Sequence, residues 1–114
     1  MAIWSRLKSM AGGHGTLKTL ASAATLYVPP DDNAYYLSGS TTITSLSVPK
    51  YLYNRKVTFI GAASAAVTFT NTNTPATAGE MYLQGVNRTL NESDVLELFC
   101  QNDGTWILFN TTIA

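Results

Sequence analysis

The chain has 114 residues, a length that forms one domain with its own hydrophobic core. Seven basic and seven acidic residues leave a formal net charge of zero, and charged residues make up 12% of the chain, about half of the usual share of roughly 25%. No basic run supports nucleic-acid binding, and no stretch approaches the roughly 18 apolar residues of a membrane span. A surface so poor in charge is unfavourable for a soluble monomer. Because buried charges are costly to desolvate, it suits a protein covered by neighbouring subunits, and we expect self-association.

The amino-terminal section differs in composition from the rest, and we interpret residues 1–18 as an arm attached to a β-rich domain at 19–114. Four apolar side chains at helical spacing share one face: they are Ile3, Trp4, Leu7 and Met10. Two cations, Arg6 and Lys8, lie off that stripe, and they also interrupt what would be the apolar region of a secretory signal. The glycine-rich residues 12–15 end any helix and supply a joint. A helix this short is marginal alone, so the stripe needs a docking surface, either on the chain's own β-domain or on a partner, with a membrane surface as a third possibility.

From Thr16 onward the pattern predicts short strands separated by turns. The predicted strands are 25–28, 34–37, 41–48, 56–60, 66–70, 81–83, 95–100 and 105–109. Residues 71–79 and 86–93 are predicted to be loops. About eight short strands with frequent turns predict an all-β domain, either a sandwich, a barrel-like fold or an interwound trimer, and not βαβ units.

The predicted strand at 41–48 contains an irregularity. Ile43 and Leu46 are three residues apart, so strict alternation would send them to opposite faces of the sheet. We therefore expect a bend or bulge between them that turns both side chains inward. Six apolar residues of these strands are our candidates for the trimer interface or the core: Ile43, Leu46, Val57, Phe59, Val67 and Phe69.

The last two strands flank Asp103-Gly104, which predicts a hairpin with a type I′ turn. Cys100, the only cysteine, lies in an apolar run and is interpreted as a buried small hydrophobe and not as a reactive thiol.

The sequence gives no positive support for catalysis. Glycan cleavage needs two carboxylates roughly 5 to 10 Å apart, but the adjacent Asp31 and Asp32 suit a turn. Glu97 alternates with Val95 and Phe99, so it is either an inward polar residue or lies on a wet face. Neither a zinc-binding cluster nor a phosphate-binding glycine loop is present. We expect no enzymatic activity, no catalytic residue, no metal and no cofactor; a glycan hydrolase is kept only as a third hypothesis.

Six segments follow one another in a recognisable order. They are GSTTITSL at 39–46, NRKVTF at 54–59, VTF at 67–69, LQG at 83–85, SDVLEL at 93–98 and GTW at 104–106. Together they resemble a β-module that recurs in virion proteins of tailed bacteriophages, in which a glycine usually occupies the position of Asn54. The resemblance implies a homotrimeric, β-rich component of tail fibres, spikes or small capsid-decorating proteins. It carries over no catalytic residue.

Within that family, a single module with a short arm fits a head decoration (cement) protein better than a long fibre. We therefore expect a homotrimer on the capsid exterior, made in the host cytoplasm, whose partners are itself and the major capsid protein, with neither nucleic acid nor membrane. Ile3, Trp4 and Leu7 would be its apolar anchors, and Arg6 and Lys8 would pair with capsid carboxylates.

The alternative is a tail fibre or spike component that binds a host-surface glycan. Tyr51 and Tyr53 lie in a loop that follows Pro49, among basic residues, and are the expected exposed aromatic residues. Tyrosine combines a large apolar contact with a hydroxyl group, which suits stacking on a sugar or contact with a protein partner.

Overall fold

The computed structural model describes residues 17–113. Five residues of the predicted arm lie outside the described residues: Ile3, Trp4, Arg6, Leu7 and Lys8. The described chain is all-β, as predicted from the sequence. Its strands are β1 (Thr19–Ala21), β2 (Thr25–Tyr27), β3 (Ala34–Ser38), β4 (Ser45–Ser47), β5 (Arg55–Gly61), β6 (Ala66–Phe69), β7 (Met81–Tyr82), β8 (Arg88–Asn91), β9 (Val95–Cys100) and β10 (Trp106–Thr112), with a 3₁₀ turn at Lys50–Leu52.

The strands form two layers that enclose one core. The first layer is a six-stranded sheet in the order β1-β3-β5-β9-β10-β7. The second layer consists of the pairs β2-β4 and β6-β8, which are joined by a parallel bridge between Ile43 and Phe69. From β1 to β6 the chain alternates between the layers, so that β1, β3 and β5 are parallel neighbours. Parallel neighbours require a crossover, and here each crossover is a strand of the other layer, which gives a solenoid-like coil.

The predicted irregularity at 41–48 is a bulge. The backbone N–H groups of Thr44 and Ser45 both donate to the carbonyl oxygen of Ala24, at 2.8 and 3.1 Å. Two residues of one strand thus oppose a single residue of the other, which is the pattern of a bulge. Ile43 and Leu46 on either side of it are 0% and 1% exposed. Both apolar side chains point inward, as predicted.

The six residues proposed as trimer interface or core all lie in the interior of a single chain. Each is at most 1% exposed, and all belong to one hydrophobic cluster: Ile43, Leu46, Val57, Phe59, Val67 and Phe69. The rings of Phe59 and Phe69 join the two layers, with centroids 5.6 Å apart and planes inclined by 46°. A pair in this geometry contributes about 0.5–1.5 kcal/mol beyond the area that it buries. These residues are therefore enclosed by their own chain and form its core.

Close packing of the two layers leaves no space for a side chain at Gly61, the last residue of β5. A Cβ atom at this position would overlap the backbone carbonyl of Asn91 in β8. Gly61 is the buried end of the strand, where only a glycine fits.

Two side chains, those of Tyr35 and Arg55, form hydrogen bonds to the same turn at one end of the coil. The Tyr35 hydroxyl donates to the Pro29 carbonyl at 2.9 Å and accepts from the Asp32 amide at 3.0 Å. Nη2 of Arg55 donates to the carbonyl oxygens of Pro29 and Asp32, at 3.2 and 2.8 Å. These bonds satisfy backbone groups of a turn that contains two prolines.

Two strands were not predicted, β1 and β8. Each contributes a single apolar residue to the core region, Leu20 in β1 and Leu90 in β8. A three- or four-residue strand with one apolar position has no period-two pattern to detect. The predicted loop at 86–93 is therefore wrong in its centre, where Thr89 pairs with Thr68 of β6.

The hairpin between β9 and β10 exists, but the predicted type I′ turn is wrong. Of the dipeptide, Gly104 alone has a positive φ, at +85°. The Gly104 amide donates to the Gln101 carbonyl at 3.0 Å, and the Gln101 amide donates to the Thr105 carbonyl at 2.7 Å. This is a three-residue loop that consists of a type I turn and a glycine bulge. The Asp103 carboxylate accepts from the Thr105 amide and hydroxyl, at 3.0 and 2.6 Å, and thereby fixes the turn.

Asn54 precedes β5 with a φ of +66°. The resemblance implies a glycine at this position, and asparagine is one of the few other residues that adopt left-handed backbone at low cost. The amide of Asn54 donates to the Cys100 carbonyl at 2.8 Å, so this conformation joins β5 to β9 at the start of their ladder.

The Asn54→Ala variant is expected to lower the free energy of unfolding by about 1 kcal/mol, because alanine has no compensation for a positive φ. The matched Asn54→Gly variant is expected to be as stable as the parent chain or more so. Urea denaturation of the three proteins measures the difference. Equal stability of the alanine variant would show that the left-handed backbone at Asn54 is not required.

Candidate functional site

The outward side of the second layer carries no charged residue on its strands. The outward-facing strand residues are Thr25, Tyr27, Ser45, Ser47, Ala66, Thr68, Thr89 and Asn91. We call this surface the hydroxyl face. The Thr68 and Thr89 hydroxyl oxygens are 2.9 Å apart and share a hydrogen bond, whereas Tyr27 projects with 53% of its surface exposed. Covering these strand residues would bury no ionic side chain among them, so the large cost of desolvating a charge does not arise there.

The outward side of the six-stranded sheet carries a row of apolar and aromatic side chains. In the register of the strands, Phe99 of β9 lies opposite Ile107 of β10, and Ile107 lies opposite Tyr82 of β7. Phe109 lies two residues beyond Ile107 at an irregularity of β10 and is 60% exposed. We call these four residues the aromatic patch. Exposed apolar side chains grouped in this way are a candidate site of interaction.

One cation and one carboxylate border the aromatic patch and neutralise each other. The Lys56 ammonium lies 4.6 Å from the centroid of the Phe109 ring and 3.5 Å from Oε2 of Glu97. Glu97 also accepts a hydrogen bond from Oγ1 of Thr58 at 3.3 Å. Of the two positions left open for Glu97 by the sequence, the outward face of the sheet is the one observed.

The other end of the same face is covered. Leu17, immediately before β1, is 5% exposed and clusters with Ala34 and Ile60, and Tyr36 and Val95 pack against this cluster. The outer face of the six-stranded sheet therefore has a covered end beside Leu17 and an uncovered end at the aromatic patch.

The two tyrosines expected to be exposed together lie in different environments. Tyr51, in the 3₁₀ turn, is 78% exposed. Tyr53 is half-buried and packs against the core, with its ring against the backbone of Gly104. A neighbouring groove of about 390 Å³ runs along the hairpin tip. It is lined by Asn54, Phe99, Gln101, Asn102 and Asp103.

The carboxylates of Glu80 and Asp103 have a lowered pKa, and both serve as hydrogen-bond acceptors. Backbone amides of Thr77 and Ala76 bind Glu80 and hold its pKa below the usual value. The Thr105 hydroxyl does the same for the pKa of Asp103. Both groups stay ionised and are poor general acids at neutral pH. Among residues 17–113, no three His, Cys, Asp or Glu side chains lie close enough to hold a metal ion.

Cys100, the last residue of β9, is a free thiol. Its side chain points into the core and is 0% exposed. Burial raises the pKa of this thiol to about 11, although the nearby Arg55 acts in the opposite direction. The thiolate is the reactive form, so this cysteine is inert at neutral pH. The predicted buried position of Cys100 is confirmed.

No helix in the described part of the chain has the length and apolar character to cross a membrane. No family model, no curated protein and no solved structure matches the chain.

In the native protein, Cys100 is expected to resist the thiol reagent dithionitrobenzoate at pH 8 and to react fully after unfolding in urea, because a buried neutral thiol presents no thiolate. Absorbance of the released product measures the reaction. Rapid labelling of the folded protein would contradict the buried position.

The same pKa has a consequence for stability at alkaline pH. Burial raises the thiol pKa from 9.0 to about 11, so the folded chain holds this proton more tightly than the unfolded chain does. The free energy of unfolding is expected to fall as the pH rises from about 9 to 11. Urea denaturation at several pH values should show a smaller fall for Cys100→Ala, and an equal fall would assign the effect to other groups.

Proposed function

We propose that this protein is a structural virion component, a homotrimeric head decoration protein that binds the outside of an assembled phage capsid through its amino-terminal arm. The hydroxyl face carries the proposal. A folded chain with a complete core of its own has no charged side chain among the outward-facing strand residues of its second layer, which is the surface expected where subunits cover one another.

The low charge of the whole chain agrees with this proposal. Lys56 and Glu97 are paired with each other, and Lys18 is paired with Asp31 at 2.6 Å. Such exposed pairs add little stability, but each places two opposite charges side by side. A chain with a formal net charge of zero favours association over repulsion between like chains.

Decoration would stabilise the shell by mass action. A protein that binds the assembled shell, and not the loosened subunits, shifts the equilibrium toward the shell by an amount that grows with its concentration and affinity. Three arms on one trimer add avidity, because the second and third arms bind at a high effective concentration after the first. In the arm, Ile3, Trp4 and Leu7 would enter apolar sites on the major capsid protein, and Arg6 and Lys8 would pair with its carboxylates.

Removal of residues 1–15 is expected to abolish binding to assembled shells and to leave the β-domain trimeric, since the core lies in the described residues. Co-sedimentation with purified shells measures binding, and analytical ultracentrifugation of the truncated protein measures its mass. The charge-reversal pair Arg6→Glu and Lys8→Glu should weaken binding, whereas Lys50→Glu, an exposed control outside the arm, should not. Full occupancy of shells by the truncated protein would contradict the assignment of the arm.

A second candidate function is binding of a host-surface glycan by a tail fibre or spike component. The groove at the hairpin tip favours it, because the groove combines an aromatic ring, Phe99, with amide groups and the carboxylate of Asp103. Tyr51, which is close in sequence to Asn54 of the groove, supplies a further exposed aromatic ring. Saturable binding on a glycan array, lost in Tyr51→Ala or Asp103→Asn but kept in Tyr27→Ala, would favour this function over decoration.

The proposal assigns no catalytic role to the protein. Turnover of a host polysaccharide that is abolished by an Asp or Glu substitution would overturn this part of the proposal.

A further inference from the structure

The aromatic patch is the feature of the described surface that the decoration mechanism leaves unused. Phe109 and Tyr82 are 60% and 37% exposed, beside Phe99 and Ile107. We propose that in the free protein the arm of the same chain folds back over the outer face of the six-stranded sheet and covers this patch. The inference rests on the proposed function in one respect only: the capsid is the surface that competes with the aromatic patch for the arm.

The position of Leu17 places the start of the arm on the correct face. Leu17 is buried on the outward side of the six-stranded sheet, against Ala34 and Ile60. The first described residue therefore has its side chain on the face that carries the aromatic patch. An arm attached at this point would reach the patch without passing around an edge of the sheet.

The distance from the covered end of the face to the patch is within reach of the arm. Leu17 precedes β1, and the sheet order places β9 and β10 three and four strands from β1. At roughly 4.8 Å between neighbouring strands, the patch on β9 and β10 begins about 14 to 19 Å from Leu17. The glycine-rich joint and Thr16, residues 12–16, span up to about 17 Å when extended. The apolar stripe at residues 3–10 would add about 12 Å as a helix, so the arm is long enough to reach the patch while Leu17 stays in place.

The chemistry of the two surfaces is complementary. The arm offers four apolar side chains at the spacing of one helix face: Ile3, Trp4, Leu7 and Met10. The patch offers three aromatic rings and an isoleucine, and burying apolar area against apolar area is the main source of affinity. The arm carries two cations and no acidic residue. Asp103 lies beside Phe99 in the groove at the hairpin tip, with a carboxylate kept ionised by Thr105, and would face these cations.

The chain's own arm is favoured over the arm of a second copy by its attachment. A segment tethered through a joint of a few residues is present at a high effective concentration near its own face. Covering of the patch by an arm of the same molecule is therefore independent of protein concentration, whereas covering by an arm of a separate molecule is not.

The arrangement acts as a competition between two docking surfaces. An arm held on its own domain keeps its apolar stripe from binding other surfaces before the shell is available. Shell binding must displace the arm, so the apparent affinity is reduced by the fraction of molecules in which the arm is free. Weakening the contact with the patch should then raise the affinity for shells.

Limited trypsin digestion of the full-length protein tests the proposal, with cleavage after Arg6 and Lys8 followed by mass spectrometry. The parent protein is expected to be cleaved slowly at both sites. Phe109→Ser on the patch, or Leu7→Ser on the arm, is expected to speed cleavage by about tenfold or more, the effect of removing one buried apolar side chain from the contact. Tyr27→Ser, an exposed aromatic residue on the opposite face, is the control and should leave the rate unchanged.

Equal cleavage rates in all four proteins, with unchanged thermal melting, would overturn the proposal. A parent rate that falls as the protein concentration rises would also overturn it, because the covering segment would then belong to another copy. The two proposals fail separately. Equal cleavage rates together with loss of shell binding on truncation would leave the decoration function intact. Protection of the arm together with full shell binding by the truncated protein would reject the decoration mechanism and keep the folded-back arm.

Discussion

The fold depends on parallel pairing between strands that are separated in sequence by a strand of the other layer. Because β1, β3 and β5 lie side by side in one sheet, each connection between them must cross the core and return. The crossover strands β2 and β4 are parallel neighbours for the same reason. Such a coil gives each short strand a partner above or below it, and strands of only two to seven residues can then form a continuous core.

The bulge after Ile43 follows from this constraint. The segment at 43–47 must bond to Ala24 and β2 on one side and to β6 on the other, while keeping Ile43 and Leu46 inside. One extra residue adjusts the register, and without it one of the two side chains would point to solvent. The buried pair of layers is therefore complete within one chain, and association between chains has to use the outward faces. These faces differ, since the hydroxyl face is uncharged and polar and the aromatic patch is apolar.

The sequence predicted those parts of the fold in which local chemistry decides the conformation. The alternating Val67 and Phe69 and the inward-facing Ile43 and Leu46 each depend on a few neighbouring residues. The type I′ turn was predicted wrongly because the loop has three residues: the Gln101 amide donates to the Thr105 carbonyl, and the Asp103 carboxylate accepts hydrogen bonds from the Thr105 amide and hydroxyl. That contact depends on a side chain outside the dipeptide.

Features that depend on tertiary pairing could not be predicted from the sequence. Strands β1 and β8 contain one core residue each and are strands only because a neighbour is present. The parallel order of the sheet also leaves no periodic signal. For the candidate site, exposure of Tyr51 was predicted, but Tyr53 is held against Gly104 of a distant hairpin. Phe99, Ile107 and Phe109 were recognised as strand residues, and only the register of β9 with β10 shows that they form a surface.

The most direct test of the account is the mass of the purified full-length protein in solution, measured by sedimentation equilibrium over a range of micromolar concentrations. Coverage of an uncharged outer surface by like chains predicts a single species of three times the 12.3 kDa chain mass. A species of one chain mass throughout that range, folded and cooperative in its thermal unfolding, would contradict the account.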